Sequence, residues 1–162
     1  MARDDLPAAL IAEDLLQRTG AALLNGDSGA FADCFALPQV FETISGRVVA
    51  ETRGHLVRMF QAVQQKYRCM GVTDLVRHVV QAEYRDHETI AFTHESRLLQ
   101  GTTLLQAPFP TFSIVKYVDG LWLVHASSYG PTHDSIAGRV LNSALSENLK
   151  SPPQGADGLS RS

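Results

Sequence analysis

The spacing of apolar residues predicts three helices in the first part of the chain. Apolar side chains recur every three or four positions over 6–25, which is the period of a helix with one buried face. The segment 28–35 repeats this pattern over a shorter length, and Pro38 is expected to end it. A third apolar stripe lies between Thr52 and Gly71, residue types that favour the start and the end of a helix.

The rest of the chain alternates apolar and polar residues with a period of two, which predicts strands. Asp119-Gly120 separates two such segments and is a strong hairpin signal, because both residue types tolerate the positive φ of a tight turn. Ser45-Gly46 indicates a shorter hairpin between the second and third helices. Helices followed by antiparallel strands favour the α+β class. The predicted strands cover 40–44, 47–50, 72–84, 89–100, 112–118 and 121–129.

The composition fits one packed domain. The 162 residues are 44% hydrophobic and 19% charged, which suits a globular core and excludes wholesale disorder. A net charge of −3 argues against a protein that binds nucleic acid through its overall charge. No apolar run approaches the ~20 residues of a membrane helix, and a signal-peptide pattern is not expected at the N-terminus. Cys34 and Cys69 have no CxxC spacing, so a cytoplasmic protein with reduced thiols is expected.

The chain is predicted to end in an added helix and a polar tail. Apolar residues return at helical spacing between Ile136 and Leu149, and the residues after them are rich in Ser, Pro and Gly. The predicted organisation is a domain over 1–130, a helical extension over 131–150 and a flexible tail over 151–162. The extension must bury its apolar stripe, and packing across a homodimer is favoured over closure of a pocket mouth.

Four stretches of the sequence resemble the nuclear transport factor 2-like (NTF2-like, SnoaL-like) superfamily. They are 15–27, 35–38, 52–56 and 118–124, the last of which holds an Asp-Gly turn that leads into a tryptophan strand. The order and spacing of these motifs carry the likeness. It implies a cone-shaped α+β fold, in which three N-terminal helices pack on a curved antiparallel sheet and leave a pocket open at one end. It also implies a homodimer that forms through the outer face of the sheet.

The steroid delta-isomerases of this superfamily use a tyrosine and an aspartate that this chain lacks. By resemblance, the tyrosine position falls at Thr19 and the aspartate position near Thr43, with Glu42 beside it. A threonine hydroxyl is too weak an acid to replace a phenol, and it is no carboxylate base. Glu42 would replace the aspartate only with a one-residue shift in register, which would turn it to the other face. The resemblance therefore argues against a steroid isomerase.

The dehydratase and cyclase branches of the superfamily use histidine and aspartate in the pocket, and the predicted sheet offers candidates. His78 is in phase with apolar residues of its strand, and His94 is in phase with those of the next strand. A short turn between the strands would place the two histidines opposite or diagonal to each other. They would then serve as acid and base near neutral pH, with Asp74 to orient one of them. The alternative for both histidines is a structural role in the core or at an interface.

Seven further residues are predicted to contact a ligand in the pocket. Phenol and imidazole groups would hydrogen-bond the polar part of the ligand, and aromatic rings would contact its apolar part. The pattern leaves open which face of the final strand lines the pocket, and its tyrosines fit a dimer interface equally well. The predicted ligand-binding residues are Thr19, Phe60, Phe92, Tyr117, Trp122, His125 and Tyr129.

The favoured function is the binding of a small, largely apolar organic molecule, without a metal or another cofactor. No HxH or HExxH pattern supports a metal site. One alternative is a SnoaL-like dehydratase, cyclase or isomerase that moves protons with the pocket histidines and aspartate. A second alternative is a protein-interaction module. The expected partners are the ligand and a second copy of the chain, with neither nucleic acid nor membrane involved.

Overall fold

The computed structural model describes residues 6–43 and 46–129, and within them three helices pack on one curved sheet. This arrangement confirms the predicted α+β fold. The elements are α1 (Ala8–Asn25), α2 (Ser28–Ala32), β1 (Phe35–Thr43), β2 (Gly46–Ala50), α3 (Arg53–Met70), β3 (Asp74–Asp86), β4 (Thr89–Gln100), β5 (Thr103–Leu104), β6 (Phe109–Val118) and β7 (Leu121–Tyr129). The strand order is β2-β1-β7-β6-β4-β3, with β5 paired to β4. Neighbouring strands are antiparallel except β1 and β7, which are parallel, so the expectation of a wholly antiparallel sheet is wrong at that one pair.

Part of the predicted organisation lies outside the described residues. This part is the helical extension over 131–150 and the tail over 151–162. Within the residues that the structure describes, no helix combines the length and the hydrophobicity needed to cross a membrane.

α1 packs along β3 and buries one face. Its buried positions recur at helical spacing and include Ile11, Leu15 and Leu23. The helix ends at Gly26, whose φ of 75° lies in the left-handed region that glycine adopts without strain. The Gly26 N–H donates to the Ala22 carbonyl and so satisfies one of the last free carbonyls of the helix. The first predicted helix is confirmed.

α3 begins at a threonine cap. The His55 N–H donates to Thr52 Oγ1 over 3.2 Å, which satisfies one of the free N–H groups of the first turn. The helix ends at Gly71, with a φ of 77°. Leu56 and Phe60 lie on its buried face. Both predicted ends of this helix are confirmed.

Removing this cap is expected to destabilise the protein. Thr52→Ala leaves the His55 N–H without its acceptor and should lower the free energy of unfolding by about 1 kcal/mol. Chemical denaturation followed by circular dichroism measures the change. Thr102→Ala, at an exposed position in the turn after β4, is the matched control and should change the energy by less than about 0.5 kcal/mol. Equal unfolding energies for the two variants would contradict the stabilising role of the cap.

The second predicted helix is wrong beyond Ala32. α2 ends there, and β1 begins at Phe35 because this segment pairs with β7. The Val124 N–H donates to the Cys34 carbonyl over 2.8 Å at the start of this pairing. Pro38 lies inside β1 rather than after a helix. It is tolerated because the pairing with β7 is irregular between Phe35 and Val40, where no regular ladder hydrogen bond is required.

A single extra residue in β3 reverses which residues face the interior. Val80 has no partner on β4, because Val79 and Gln81 pair with consecutive residues of that strand, and it forms a β-bulge. Before the bulge the odd-numbered residues are the more buried ones, and after it the even-numbered residues are. Val80 itself is 61% exposed. The expectation that His78 lies on the inner face is therefore wrong, because it assumed one unbroken alternation along the strand.

The interior contains two hydrophobic clusters. The first lies between α3 and the sheet and includes Phe31, Phe41 and Phe60. The second packs against the first half of α1 and includes Leu15 and Phe92. The helices and the inner face of the sheet meet in the first cluster, and a cavity lies there.

Candidate functional site

A cavity of about 90 Å³ lies in the first hydrophobic cluster, bordered by all three helices and by five strands of the sheet. Most of its wall is apolar and comes from leucine, valine, methionine and phenylalanine side chains. The described polar residues that line it are Thr19, Tyr67, Arg77, His94, Ser96, Thr111 and Tyr129. An apolar pocket with a few polar groups on its wall is the usual form of a small-molecule site.

Three phenylalanines form an apolar wall of the cavity. The ring centroids of Phe31 and Phe35 are 4.7 Å apart, and those of Phe31 and Phe60 are 5.0 Å apart. These distances are typical of favourable aromatic pairs. The three rings come from α2, β1 and α3, so the wall forms only when these elements pack together.

Arg77 brings a positive charge to the cavity. Its Nη2 group donates to the Leu16 carbonyl and, over 2.7 Å, to the Thr19 hydroxyl oxygen. The Thr19 hydroxyl donates to the Leu15 carbonyl over 2.8 Å, so its lone pairs are available to accept from Arg77. Burial lowers the pKa of Arg77, but a guanidinium remains protonated in proteins. α1 therefore holds a charged group against the cavity.

Gly20 leaves the space that this guanidinium occupies. A Cβ atom at position 20 would lie 2.9 Å from Arg77 Nη2, closer than an ordinary van der Waals contact. Glycine in a helix interior costs about 0.5–1 kcal/mol relative to alanine. Its presence in the middle of α1 is explained by the side chain of Arg77 that packs against it.

His94 is held neutral in the interior. It is 6% exposed, and its Nδ1 has no hydrogen-bond partner within the described residues. Burial lowers the pKa of His94 to about 3, with smaller contributions from the charge of Arg77 and from the neighbouring imidazole of His78. Thr111 Oγ1 is also buried and lacks a partner in the described part of the chain. Both residues line the cavity, and a buried polar atom without a hydrogen bond is unusual in a folded protein.

Tyr67 and Tyr129 add two phenol groups to the same wall. Burial raises the pKa of both phenols. For Tyr129, burial and the neighbouring Tyr67 raise the pKa to about 12. Both phenols are therefore neutral at physiological pH and can donate a hydrogen bond. The charge of Arg77 acts against these shifts, and all three groups line the same cavity.

Of the predicted site residues, His94, Thr19, Phe60 and Tyr129 line the cavity. The structure does not bring the three predicted catalytic residues together. His78 pairs with Glu95 instead of His94, and both His78 and Asp74 are exposed on the outer side of β3. The predicted facing of the two histidines is therefore wrong, because the bulge shifts the register between them.

Within the described residues, no three His, Cys, Asp or Glu side chains lie together as a metal site would require.

The other four predicted ligand-binding residues lie outside the cavity lining. Phe92 is buried in the second hydrophobic cluster. The rings of Tyr117 and Trp122 pack against each other, with centroids 5.1 Å apart. His125 is the unpaired residue of a bulge in β7, where partial burial, followed by the charge of Lys116, lowers its pKa.

Arg77 and Thr111 are the main site residues that sequence reasoning missed. In an unbroken alternation Arg77 would face solvent, and only the bulge turns it inward. Thr111 lies just before the predicted strand over 112–118, because Pro108 and Pro110 disfavour a strand, but β6 begins at Phe109. A glycine inside a strongly helical pattern, Gly20, is the sequence signal that could have indicated a closely packed neighbour.

Solved structures with the same arrangement of helices and sheet identify the fold. A protein from Nostoc punctiforme PCC 73102, described as a domain of unknown function with a cystatin-like fold, has a TM-score of 0.61 and 16% identity over 90% of this chain and 98% of its own. An NTF2-like protein with a cystatin-like fold from Novosphingobium aromaticivorans has a TM-score of 0.60 and 13% identity over 83% and 88%. This chain has the NTF2-like fold. An NTF2-like protein of unknown function from Shewanella oneidensis MR-1 matches it with a TM-score of 0.58 and 11% identity over 73% and 94%.

These likenesses establish the NTF2-like fold and leave the function to be argued from the cavity. Identities of 11–16% carry no substrate or activity from one protein to another. No family model matches the sequence, and no curated protein matches it either.

Proposed function

We propose that this NTF2-like chain binds a small, largely apolar organic molecule in its cavity. The observation that carries the proposal is an aromatic wall beside buried polar atoms, His94 Nδ1 and Thr111 Oγ1, that no described residue satisfies. The apolar wall favours a hydrocarbon group, because such a group leaves water when it binds. The buried polar atoms favour a ligand that also carries a hydrogen-bonding group.

The cavity volume favours a compact ligand. An engineered apolar cavity of about 150 Å³ takes up benzene, and the present cavity, at about 90 Å³, is smaller. A short branched chain or a small ring therefore fits better than a fused ring system. The rings of Phe31 and Phe60 would contact its apolar part.

Binding is favoured over proton transfer by what surrounds His94. No Asp or Glu is among the described residues that line the cavity, so no carboxylate is placed to orient the imidazole. A pKa of about 3 is also far from neutral pH, whereas an efficient acid–base catalyst has a pKa near its working pH. A dehydratase or isomerase mechanism that relies on His78, His94 and Asp74 therefore lacks the geometry it needs.

A neutral probe tests this function independently of ligand charge. On titration with cyclopentanol, we expect the methyl NMR signals of Met59 and Val63 to shift and to saturate. Val63→Phe should fill the cavity and abolish the shift of the Met59 methyl signal, because its larger side chain occupies the same space. Leu24→Phe, at an exposed position of α1, is the matched control and should leave both shifts unchanged.

The folded state of both variants is checked by their amide NMR spectra. Shifts confined to exposed residues, or shifts that persist in a folded Val63→Phe variant, would overturn the proposed binding.

A further inference from the structure

Arg77 differs in its electrostatic surroundings from the arginines that form ion pairs. The described ion pairs, such as Arg18 with Asp14 and Arg97 with Glu95, join side chains on the protein surface. Within residues 6–43 and 46–129, no acidic side chain forms an ion pair with Arg77. A desolvated charge of this kind is costly unless an opposite charge or several hydrogen bonds compensate it.

The guanidinium keeps donors available for another group. Its Nη2 group is occupied by the Leu16 carbonyl and the Thr19 hydroxyl. Among the described residues, no acceptor contacts Nε or Nη1. Nη1 carries two N–H groups of a charged guanidinium, and such groups donate strong, short hydrogen bonds to a carboxylate oxygen.

The neighbouring polar groups favour an acceptor rather than a donor in the ligand. The phenols of Tyr67 and Tyr129 are neutral and carry O–H donors, and Thr111 adds a hydroxyl without a described partner. No carboxylate lies among the described lining residues to repel an anion. The polar side of the cavity is therefore positive and rich in donors.

The remaining wall favours an anion that carries an apolar group. The phenylalanine rings of the lining would gain nothing from a small inorganic anion, because they contribute by removing hydrocarbon surface from water. A carboxylate attached to a short branched or cyclic hydrocarbon group suits both the polar and the apolar lining residues.

We propose that the cavity binds a small monocarboxylate, with its carboxylate on Arg77 and its hydrocarbon group against the Phe31–Phe60 wall. This inference rests on the proposed ligand-binding function and adds the chemical class of the ligand. Arg77 is its specificity-determining residue.

Isobutyrate and isobutyramide test the proposal, because they have nearly the same shape and differ in charge. Titration calorimetry at pH 7 should give a dissociation constant for isobutyrate that is lower by roughly tenfold or more than that for isobutyramide. The ¹H–¹⁵N signal of Arg77 Nε should shift with isobutyrate. Nitrate, which has the planar charge without the hydrocarbon group, should bind more weakly than isobutyrate.

The outcomes separate this inference from the proposed function. If isobutyramide or nitrate binds as tightly as isobutyrate while cyclopentanol also binds, the monocarboxylate assignment is overturned and the ligand-binding function stands. If none of the four probes binds, the ligand-binding function fails and the assignment fails with it.

Two variants test the role of Arg77 itself. Arg77→Gln should weaken isobutyrate binding by roughly tenfold or more and change isobutyramide binding by less than about threefold. Gly20→Ala should also weaken isobutyrate binding, because its Cβ would displace the guanidinium. Arg97→Gln, on the outer face beside Glu95, is the matched control and should bind isobutyrate like the unmodified chain.

Cyclopentanol binding shows whether the cavity of each variant is intact. An Arg77→Gln variant that binds cyclopentanol and keeps its full affinity for isobutyrate would overturn the proposal. If this variant does not fold, the same comparison in Gly20→Ala decides the matter.

Discussion

Replacing Phe60 by alanine is expected to lower the free energy of unfolding by about 3–5 kcal/mol, the usual cost of removing a buried phenylalanine side chain. Phe60 is 1% exposed and packs against Phe31, with ring centroids 5.0 Å apart. Its loss would remove buried apolar surface and join the vacated space to the existing cavity. Phe60 belongs both to α3 and to the aromatic wall. The elements that form this wall therefore cannot close over the gap without moving together. Equilibrium denaturation with urea measures the loss.

The control for this prediction is Leu24→Ala, at an exposed position of α1. This change should cost less than about 0.5 kcal/mol, as is usual for surface substitutions. A loss below about 1 kcal/mol in Phe60→Ala would contradict the tight packing of the aromatic wall. The enlarged cavity should also accept bulkier neutral probes than cyclopentanol, provided that the variant remains folded.

Acidification is expected to destabilise the protein through His94. The pKa of His94 is lowered to about 3 in the folded chain, whereas an unfolded histidine has a pKa of about 6.5. Below pH 6.5 the unfolded chain therefore binds a proton that folded His94 does not, so stability falls as the pH falls. The stabilisation is complete above the unfolded pKa and is lost progressively toward pH 3. At pH 5 the stability lost through His94 amounts to about 2 kcal/mol.

Comparison with a variant isolates this contribution from that of the carboxylates. His94→Gln removes the titrating group, so its unfolding energy should change less between pH 7 and pH 5 than that of the unmodified chain. His87→Gln, in the exposed turn between β3 and β4, should keep the full pH dependence. The prediction fails if His94→Gln and the unmodified chain lose the same free energy over this range. Chemical denaturation at each pH provides the values.

Local signals made much of the fold predictable. Thr52 and Gly71 mark both ends of α3, because capping and left-handed backbone depend on residues within one turn of the chain. The Asp119-Gly120 turn likewise determines the β6–β7 hairpin from two adjacent residues, both of which have positive φ. The order of helices and strands followed from these signals, and the resemblance to the NTF2-like fold was confirmed by solved structures.

The site was less predictable, because it depends on register between distant strands. The bulge at Val80 leaves no local signal, since valine is an ordinary strand residue. Without it, Arg77 would face solvent and His78 the interior, the reverse of the structure. No bulge interrupts the alternation of β4 around His94, so its predicted position on the inner face is correct.

The bulge at Val80 separates the size of the pocket from its chemistry. A bulge bends its strand and increases the local twist, so its position along β3 determines where the sheet turns toward the helices. Moving it by two residues would displace this bend by about 7 Å while changing the facing of only the residues between the old and new positions. A pocket of different depth could thus retain Arg77 and its hydrogen bonds to α1 unchanged. In engineering of this fold, moving the unpaired residue of the bulge would therefore change the length of ligand that the pocket accepts and leave Arg77 in place.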